Sequence, residues 1–306
     1  MTESKTVPQQ VKDNNIMQNK IQETVKELSK PESYKSVFHK TYNHVGMPSL
    51  DQLSEIIDLL KATIFPGYFG ESEISAENME YHIGANVDLL ARLLREQIKR
   101  GFCFACSEEG VEACEECTKN TEEVTRKFIG RLPKLRNILS TDVKAAYKGD
   151  PAAKSYAETI FCYPSILALL HHRIAHELLN LGVPIIPRII SEMAHSKTGI
   201  DIHPGAQIED HFFIDHGTGV VIGETAEIGR NVRLYQGVTL GAKNFPTDEN
   251  GDPIKGIPRH PILEDGVIIY SGASILGRVT IGENAVVGGN VWLTEDVDPG
   301  ETVLKD

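Results

Sequence analysis

The chain has 306 residues, 41% of them hydrophobic, enough to bury a sizeable core, and a formal net charge of −12 with no Lys/Arg-rich block. A field of that sign repels phosphate backbones and anionic bilayers, so neither nucleic acid nor a membrane is expected as a partner. No apolar run approaches the roughly 20 residues that cross a bilayer, and the polar opening MTESKTVPQQVKDNNIMQ lacks a signal peptide's apolar segment, so the expected location is cytoplasmic.

Residues 1–19 are rich in Gln, Asn, Ser and Thr and read as a disordered tail. From 20 to 198 the apolar spacing is helical, without a convincing strand, and predicts an α-helical domain. Ile83, Val87, Leu90, Leu93, Leu94 and Ile98 fall three or four apart, as one helix face requires. Further helices are expected over 50–62, 119–131, 136–148 and 165–181, the last stopped by Gly182 and Pro184. The charged stretch Arg95–Arg100 reads as solvated surface, and His171, His172 and His176 as helix-surface or subunit-contact residues.

Five cysteines is an odd count and argues for reduced thiols. Cys103, Cys106, Cys114 and Cys117 form two C-x-x-C pairs that could place four thiolates around a structural zinc. The acidic loop between them suits a cation and a plain solvated loop equally, and unliganded cysteines are the preferred reading, with no metal ligand assigned.

After Gly199 the apolar period becomes six. Ile202, Ile208, Ile214, Val220, Ala226, Val232 and Val238 fall on one register, with Ile222, Ile228, Leu234 and Leu240 two residues later. Past a break at Gly241 the pattern resumes at Val267, Ala273, Val279, Ala285, Val291 and Val297, with Ile269, Ile275, Ile281, Val287 and Leu293 again two later. Such repetition needs the same short strand and bend every six residues, three of which close a triangular coil. A parallel β-helix over 199–306 follows, and the fold class is α+β. The stretch 242–262, rich in Pro, Gly and Asn, cannot continue the coil and must loop out. It ends in Arg259-His260-Pro261, read as an exposed cationic pair, and long insertions of this kind are usually functional.

Four polar clusters interrupt the repeat: Asp201-Ile-His203-Pro204, Asp215-His216-Gly217-Thr218-Gly219, Gly223-Glu224-Thr225 and Arg259-His260-Pro261. A neutral imidazole near its ordinary pKa suits removal of a proton from an attacking hydroxyl, and His216 is the candidate base. Asp201 precedes it by fifteen residues, close to one eighteen-residue coil, so the two can lie on neighbouring coils.

The ordered set DIHP, DHGTG, GET and RHP, together with Gly149-Asp150-Pro151-Ala152 and the HHRIAHELLNLG helix, resembles the serine acetyltransferases over about residues 149–298. The resemblance implies a left-handed β-helix that transfers acetyl from acetyl-CoA, a co-substrate, to L-serine in cysteine biosynthesis, without a redox cofactor. It implies an Asp201–His216 catalytic dyad, with Asp150 and Asp215 facing the serine ammonium and Arg259 and His260 its carboxylate. Glu224 would belong to the inner shell, unless it is a structural corner residue. Backbone of Gly241, Ala242 and later coils, including Ser271 and Gly289, would line the acetyl-CoA groove between adjacent subunits of a homotrimer, which could pair into a dimer of trimers. Feedback inhibition by L-cysteine is expected.

Two departures qualify this. Tyr270 stands where relatives commonly carry only Gly and Ala, so the detailed cofactor contacts are expected to differ there. The chain stops at Glu301-Thr-Val-Leu-Lys-Asp306 without a terminal Ile, so docking to O-acetylserine sulfhydrylase is expected to be weak or absent. The rival readings are a β-helix acetyltransferase for a sugar or antibiotic hydroxyl, a catalytically dead scaffold, and a zinc carbonic anhydrase-like β-helix using His203, His216 and His260.

Overall fold

The computed structural model describes residues 9–39, 45–70, 73–106 and 111–305; the side chains of residues 9–13, 111–114 and 116 lie outside that description. The chain forms two compact units, Met1–Thr41 and Tyr42–Asp306. The first holds helix α1, Gln9–Leu28, and the short α2, Pro31–Tyr34. Residues 9–19, expected as part of a tail, are therefore helical, whereas residues 1–8 lie outside the described residues. The Gln and Lys that mark the segment as polar also favour helix, and polar composition alone does not separate a solvated helix from coil.

The second unit places helices and solenoid on one continuous hydrophobic core, which runs from Leu53 to Val297. The division expected at residue 199 is thus a change of secondary structure inside one compact body. Helix α3, Leu50–Ile64, starts where the Ser49 hydroxyl accepts from the Gln52 N–H. Helices α4, Met79–Ala105, and α5, Val111–Gly149, pack beside it. Two helices were expected within α5, but it runs through Pro133, which is exposed, while Phe128, Leu132, Leu135 and Leu139 keep one buried stripe on either side of it. Then come α6, Tyr156–Cys162, α7, Pro164–Asn180, and α8, Ile186–Thr198, which ends at Gly199 in the left-handed region (φ 69°). Among the described residues no helix is long and apolar enough to cross a membrane.

Among the described residues fourteen short parallel strands follow, in three sheets that form the sides of a left-handed β-helix. Face A stacks β1 (Asp201–Ile202), β4 (Val221–Ile222), β7 (Thr239–Gly241), β10 (Ser274–Leu276) and β13 (Trp292–Leu293). Face B holds β2 (Gln207–Ile208), β5 (Glu227–Ile228), β8 (Ile262–Leu263) and β11 (Thr280–Ile281). Face C holds β3 (Phe213–Ile214), β6 (Arg233–Leu234), β9 (Ile268–Ile269), β12 (Val286–Val287) and β14 (Thr302–Val303).

The first coil is longer than the repeat. Asp201 pairs with Val221, twenty residues on, whereas Val221 pairs with Thr239, eighteen on. The extra residues lie between Ile214 and Ile222, so Ile202, Ile208 and Ile214 share their inward position with Ile222, Ile228 and Leu234 rather than with Val220. The unbroken register from Ile202 to Val238 read from the sequence is corrected accordingly. The loop leaves the solenoid after Gly241 and rejoins it at Ile262.

A buried ion pair ties the helices to the first coil. Arg173 of α7 lies 3.2 Å from the Asp142 carboxylate of α5 and donates to the carbonyls of Ile208 and Glu209, while Asp142 accepts from the Phe212 N–H.

Candidate active site

The extra residues of the first coil make a protruding turn at the corner between faces C and A. His216 (φ 55°), Gly217 (φ 87°) and Gly219 (φ 78°) adopt left-handed backbone there. A Cβ on Gly217 would lie 2.5 Å from the Ile200 side chain, so glycine lets the turn close onto the start of the solenoid. The turn lifts His216 out of the coil: its side chain is 73% exposed, with Nε2 4.0 Å from the Asp215 carboxylate.

Asp150 reaches the same corner from the end of α5, where Gly149 abuts the Phe213 ring so closely that a Cβ would lie 2.5 Å from it. Its carboxylate accepts from the Tyr163 hydroxyl and the Ala152 N–H. These two bonds hold the Asp150 carboxyl below the usual range, Tyr163 contributing most, and the charge on His216 adds to them. Burial, then Asp150, pushes the Tyr163 phenol up, with Asp215 also contributing. Asp150, Tyr163, Asp215 and His216 thus form one group. Sequence reasoning missed Tyr163, whose only local signal is its place before the helix-opening Pro164.

The second group sits at the corner between faces A and B. Glu224, in the turn after β4, pairs with Arg259 at 2.6 Å as the loop rejoins the solenoid. The Arg259 hydrogen bond holds the Glu224 carboxyl low. Here the sequence reading needs correction: His260 is only 7% exposed, its ring lies across Gly223, and burial followed by the Arg259 charge pushes its pKa down to about 4. The RHP segment therefore presents one cation and one neutral imidazole, not an exposed cationic pair. His203 occupies the same corner one coil earlier, its Nδ1 accepting from the Gly205 N–H.

Asp201 lies on face A, where it, Glu192 and His195 bring one ligand atom each within 4.8 Å of one another. Among the described residues no hydrogen bond or ion pair joins Asp201 to His216 within one chain, and the residue paired with Asp201 on the next coil is Val221. Nor does one chain gather His203, His216 and His260: the first and third share one corner and the second occupies another. Of the expected cofactor contacts, Gly241 and Ala242 are at the Arg259 corner, while Ser271 and Gly289 stack at the His216 corner through the Asn290 N–H to Ser271 carbonyl bond. Tyr270, in that column, stacks on Tyr235 at 5.0 Å between centroids.

His171 and His172, expected as helix-surface or subunit-contact residues, are buried in α7, and burial pushes the pKa of both down. Cys103 and Cys106 end α4 and Cys117 lies in α5, but the Cys114 side chain is outside the described residues, and the four-thiolate arrangement with it.

Residues 260–295 match the bacterial transferase hexapeptide (six repeats) family. Over 261 residues the chain is 49% identical to the plasmid serine acetyltransferase of Synechococcus elongatus, covering 85% of this chain and 82% of that one. The Mycobacterium tuberculosis serine acetyltransferase is 45% identical over 163 residues, 53% of this chain and 67% of that protein. The crystal structure of Entamoeba histolytica serine acetyltransferase 1 in complex with L-cysteine matches with a TM-score of 0.70 at 36% identity, covering 87% of this chain and 90% of that one. Soybean serine acetyltransferase complexed with serine matches with a TM-score of 0.54 at 29% identity, over 84% and 98% of the two chains.

Fold and repeat define a hexapeptide-repeat acyltransferase, a left-handed β-helix with a helical N-terminal region. Within that class, the chain belongs to the serine acetyltransferase family.

Proposed function

We propose that the chain transfers the acetyl group of acetyl-CoA to the hydroxyl of L-serine, giving O-acetyl-L-serine and CoA, at sites formed where the His216 corner of one copy meets the Arg259 corner of the next in a homotrimer. The observation that carries this reading is the division of the polar residues between the two ends of face A. Asp150, Asp215 and His216 lie at one end and Glu224, Arg259 and His260 at the other, so the groups expected to hold the serine ammonium and those expected to hold its carboxylate are separated within one chain. Three copies with face A toward a common axis would bring the halves together. The outward ladder of face A supports such burial: Asp201, Val221, Thr239, Ser274 and Trp292 are in register, and Val221 and Trp292 are exposed.

In the assembled site Asp150 and Asp215 hold the serine ammonium, and Arg259, aimed by Glu224, holds the carboxylate. His216 takes the hydroxyl proton as the serine oxygen attacks the thioester carbonyl. The C–S bond then breaks, and the imidazolium returns the proton to the departing sulfur. Asp201 is retained as the orienting carboxylate on the family resemblance alone. The acetyl-CoA arm runs in the groove between copies, against Gly241 and Ala242 of one and Ser271 and Gly289 of the other. L-cysteine carries the same ammonium and carboxylate with a thiol in place of the hydroxyl, so it occupies the serine site and inhibits in competition with serine. A relative solved with L-cysteine and another with serine support both ligands.

The test is thiol release from acetyl-CoA with L-serine, L-homoserine or a galactoside as acceptor, on the wild type and on His216→Ala. Serine-dependent release that disappears in the variant is expected. Release with the sugar but not with serine would reject the acceptor.

A further inference from the structure

Thr225 makes four contacts that hold the RHP segment, three through its hydroxyl and one through its backbone N–H. Its Oγ1 accepts from the Arg259 N–H at 2.9 Å and the His260 N–H at 3.2 Å, and lies 2.9 Å from His260 Nδ1. The Thr225 N–H donates to that same Nδ1 at 3.1 Å. A hydroxyl has one proton and two lone pairs. With both lone pairs taken by backbone donors, its proton points at Nδ1, which already accepts a backbone N–H. Nδ1 therefore carries no proton, and the ring proton is on Nε2. Nε2 has no hydrogen-bond partner among the described residues and is not sealed from solvent. A second proton on the ring would set an Nδ1–H against two donors. Arg259, Arg278 and His203 around the ring also oppose it, and Glu224 alone favours it. Arg278 anchors the assembly from the next coil by donating to the carbonyls of Thr225 (2.7 Å) and His260 (3.2 Å).

We propose that Thr225 is a positioning residue that locks His260 as its neutral Nε2–H tautomer, so that His260 serves substrate recognition as a directed hydrogen-bond donor while Arg259 alone supplies positive charge. The recognition step rests on the serine reading above; the tautomer does not. A donor to the serine carboxylate, which is unchanged by the reaction, contributes equally to ground and transition states, so its loss raises KM and leaves kcat nearly intact.

The experiment is nitrogen-15 NMR of the full chain with labelled histidine, beside steady-state kinetics. One histidine signal, assigned by its loss in His260→Asn, is expected with an unprotonated δ nitrogen and a protonated ε nitrogen from pH 7.5 to about 5, a window that follows from its depressed pKa. In Thr225→Val the signal should become a tautomer mixture, with the serine KM up by about tenfold and kcat within about twofold, the size expected for one lost hydrogen bond. Thr225→Ser should restore both. Protonation on Nδ1 in the wild type overturns the proposal whatever Thr225→Val does, as does a Thr225→Val protein with unchanged signal and KM. A wild type with this signature but no serine-dependent turnover would reject the acceptor and leave the tautomer lock standing.

Discussion

The imidazole of His260 lies across the α-carbon of Gly223, so that a Cβ built there would fall 2.0 Å from its Cδ2 and 2.1 Å from its Nε2. Gly223 is at a solenoid corner, and the room it leaves decides where the loop's functional end can sit. Gly223→Ala should push the ring aside and lower kcat/KM for serine by about a hundredfold, the scale of an ångström-sized misplacement. The unfolding midpoint should move little, because the adjacent coil core of Ile222 and Ile228 is untouched. Steady-state kinetics beside thermal unfolding checks both halves of this expectation.

Tyr163→Phe should separate electrostatics from packing at the other corner. It keeps the ring and removes the largest influence holding the Asp150 carboxyl low. The Asp150 pKa then rises toward its ordinary value, the ammonium clamp loses charge at a higher pH than before, and the acidic limb of the kcat/KM profile moves upward. At neutral pH, where Asp150 stays ionised in both proteins, kcat/KM should change little, so the loss should appear only on the acidic side.

Buried histidines define an acid-sensitive window. His171 and His260 are each depressed to about 4, and His172 lies well below its ordinary value, all chiefly through burial. A base whose folded pKa is depressed contributes stability that is fully present above its unfolded pKa near 6.5 and lost as the pH falls toward the folded value. Between those limits the unfolded chain binds more protons, so stability falls with acidity. At pH 5 His171 alone should cost about 2 kcal/mol relative to pH 7. Urea unfolding at the two pH values measures the loss, and His171→Asn should flatten the slope.

Much of this was legible in the residues. Inward aliphatics every six positions announced the coil, the composition of 242–262 announced the loop, and the polar interruptions marked both corners. The count of six also ran smoothly through the protruding turn, because Val220 and Ile222 are both apolar and two apart. The first coil consequently seemed to have eighteen residues, and Asp201 seemed placed beside His216. The burial of His260 was illegible for another reason: it depends on a missing side chain at Gly223 and a hydroxyl at Thr225, both from a coil thirty-five or more residues earlier. The continuity of α5 was not legible in the residues, since proline breaks helices on average, yet an exposed position for Pro133 and a long buried stripe on either side keep the helix continuous.

A site divided between two copies makes a demand that a site within one chain does not. His216→Ala and Arg259→Ala should each abolish serine-dependent CoA release, but the two variants, co-expressed and purified as mixed oligomers through separate tags, should recover about one third of wild-type activity. Every mixed trimer, whichever variant is in the majority, pairs an intact His216 corner with an intact Arg259 corner at one of its three interfaces. Mixed oligomers as inactive as either parent would contradict the account, since each chain would then need both residues for itself.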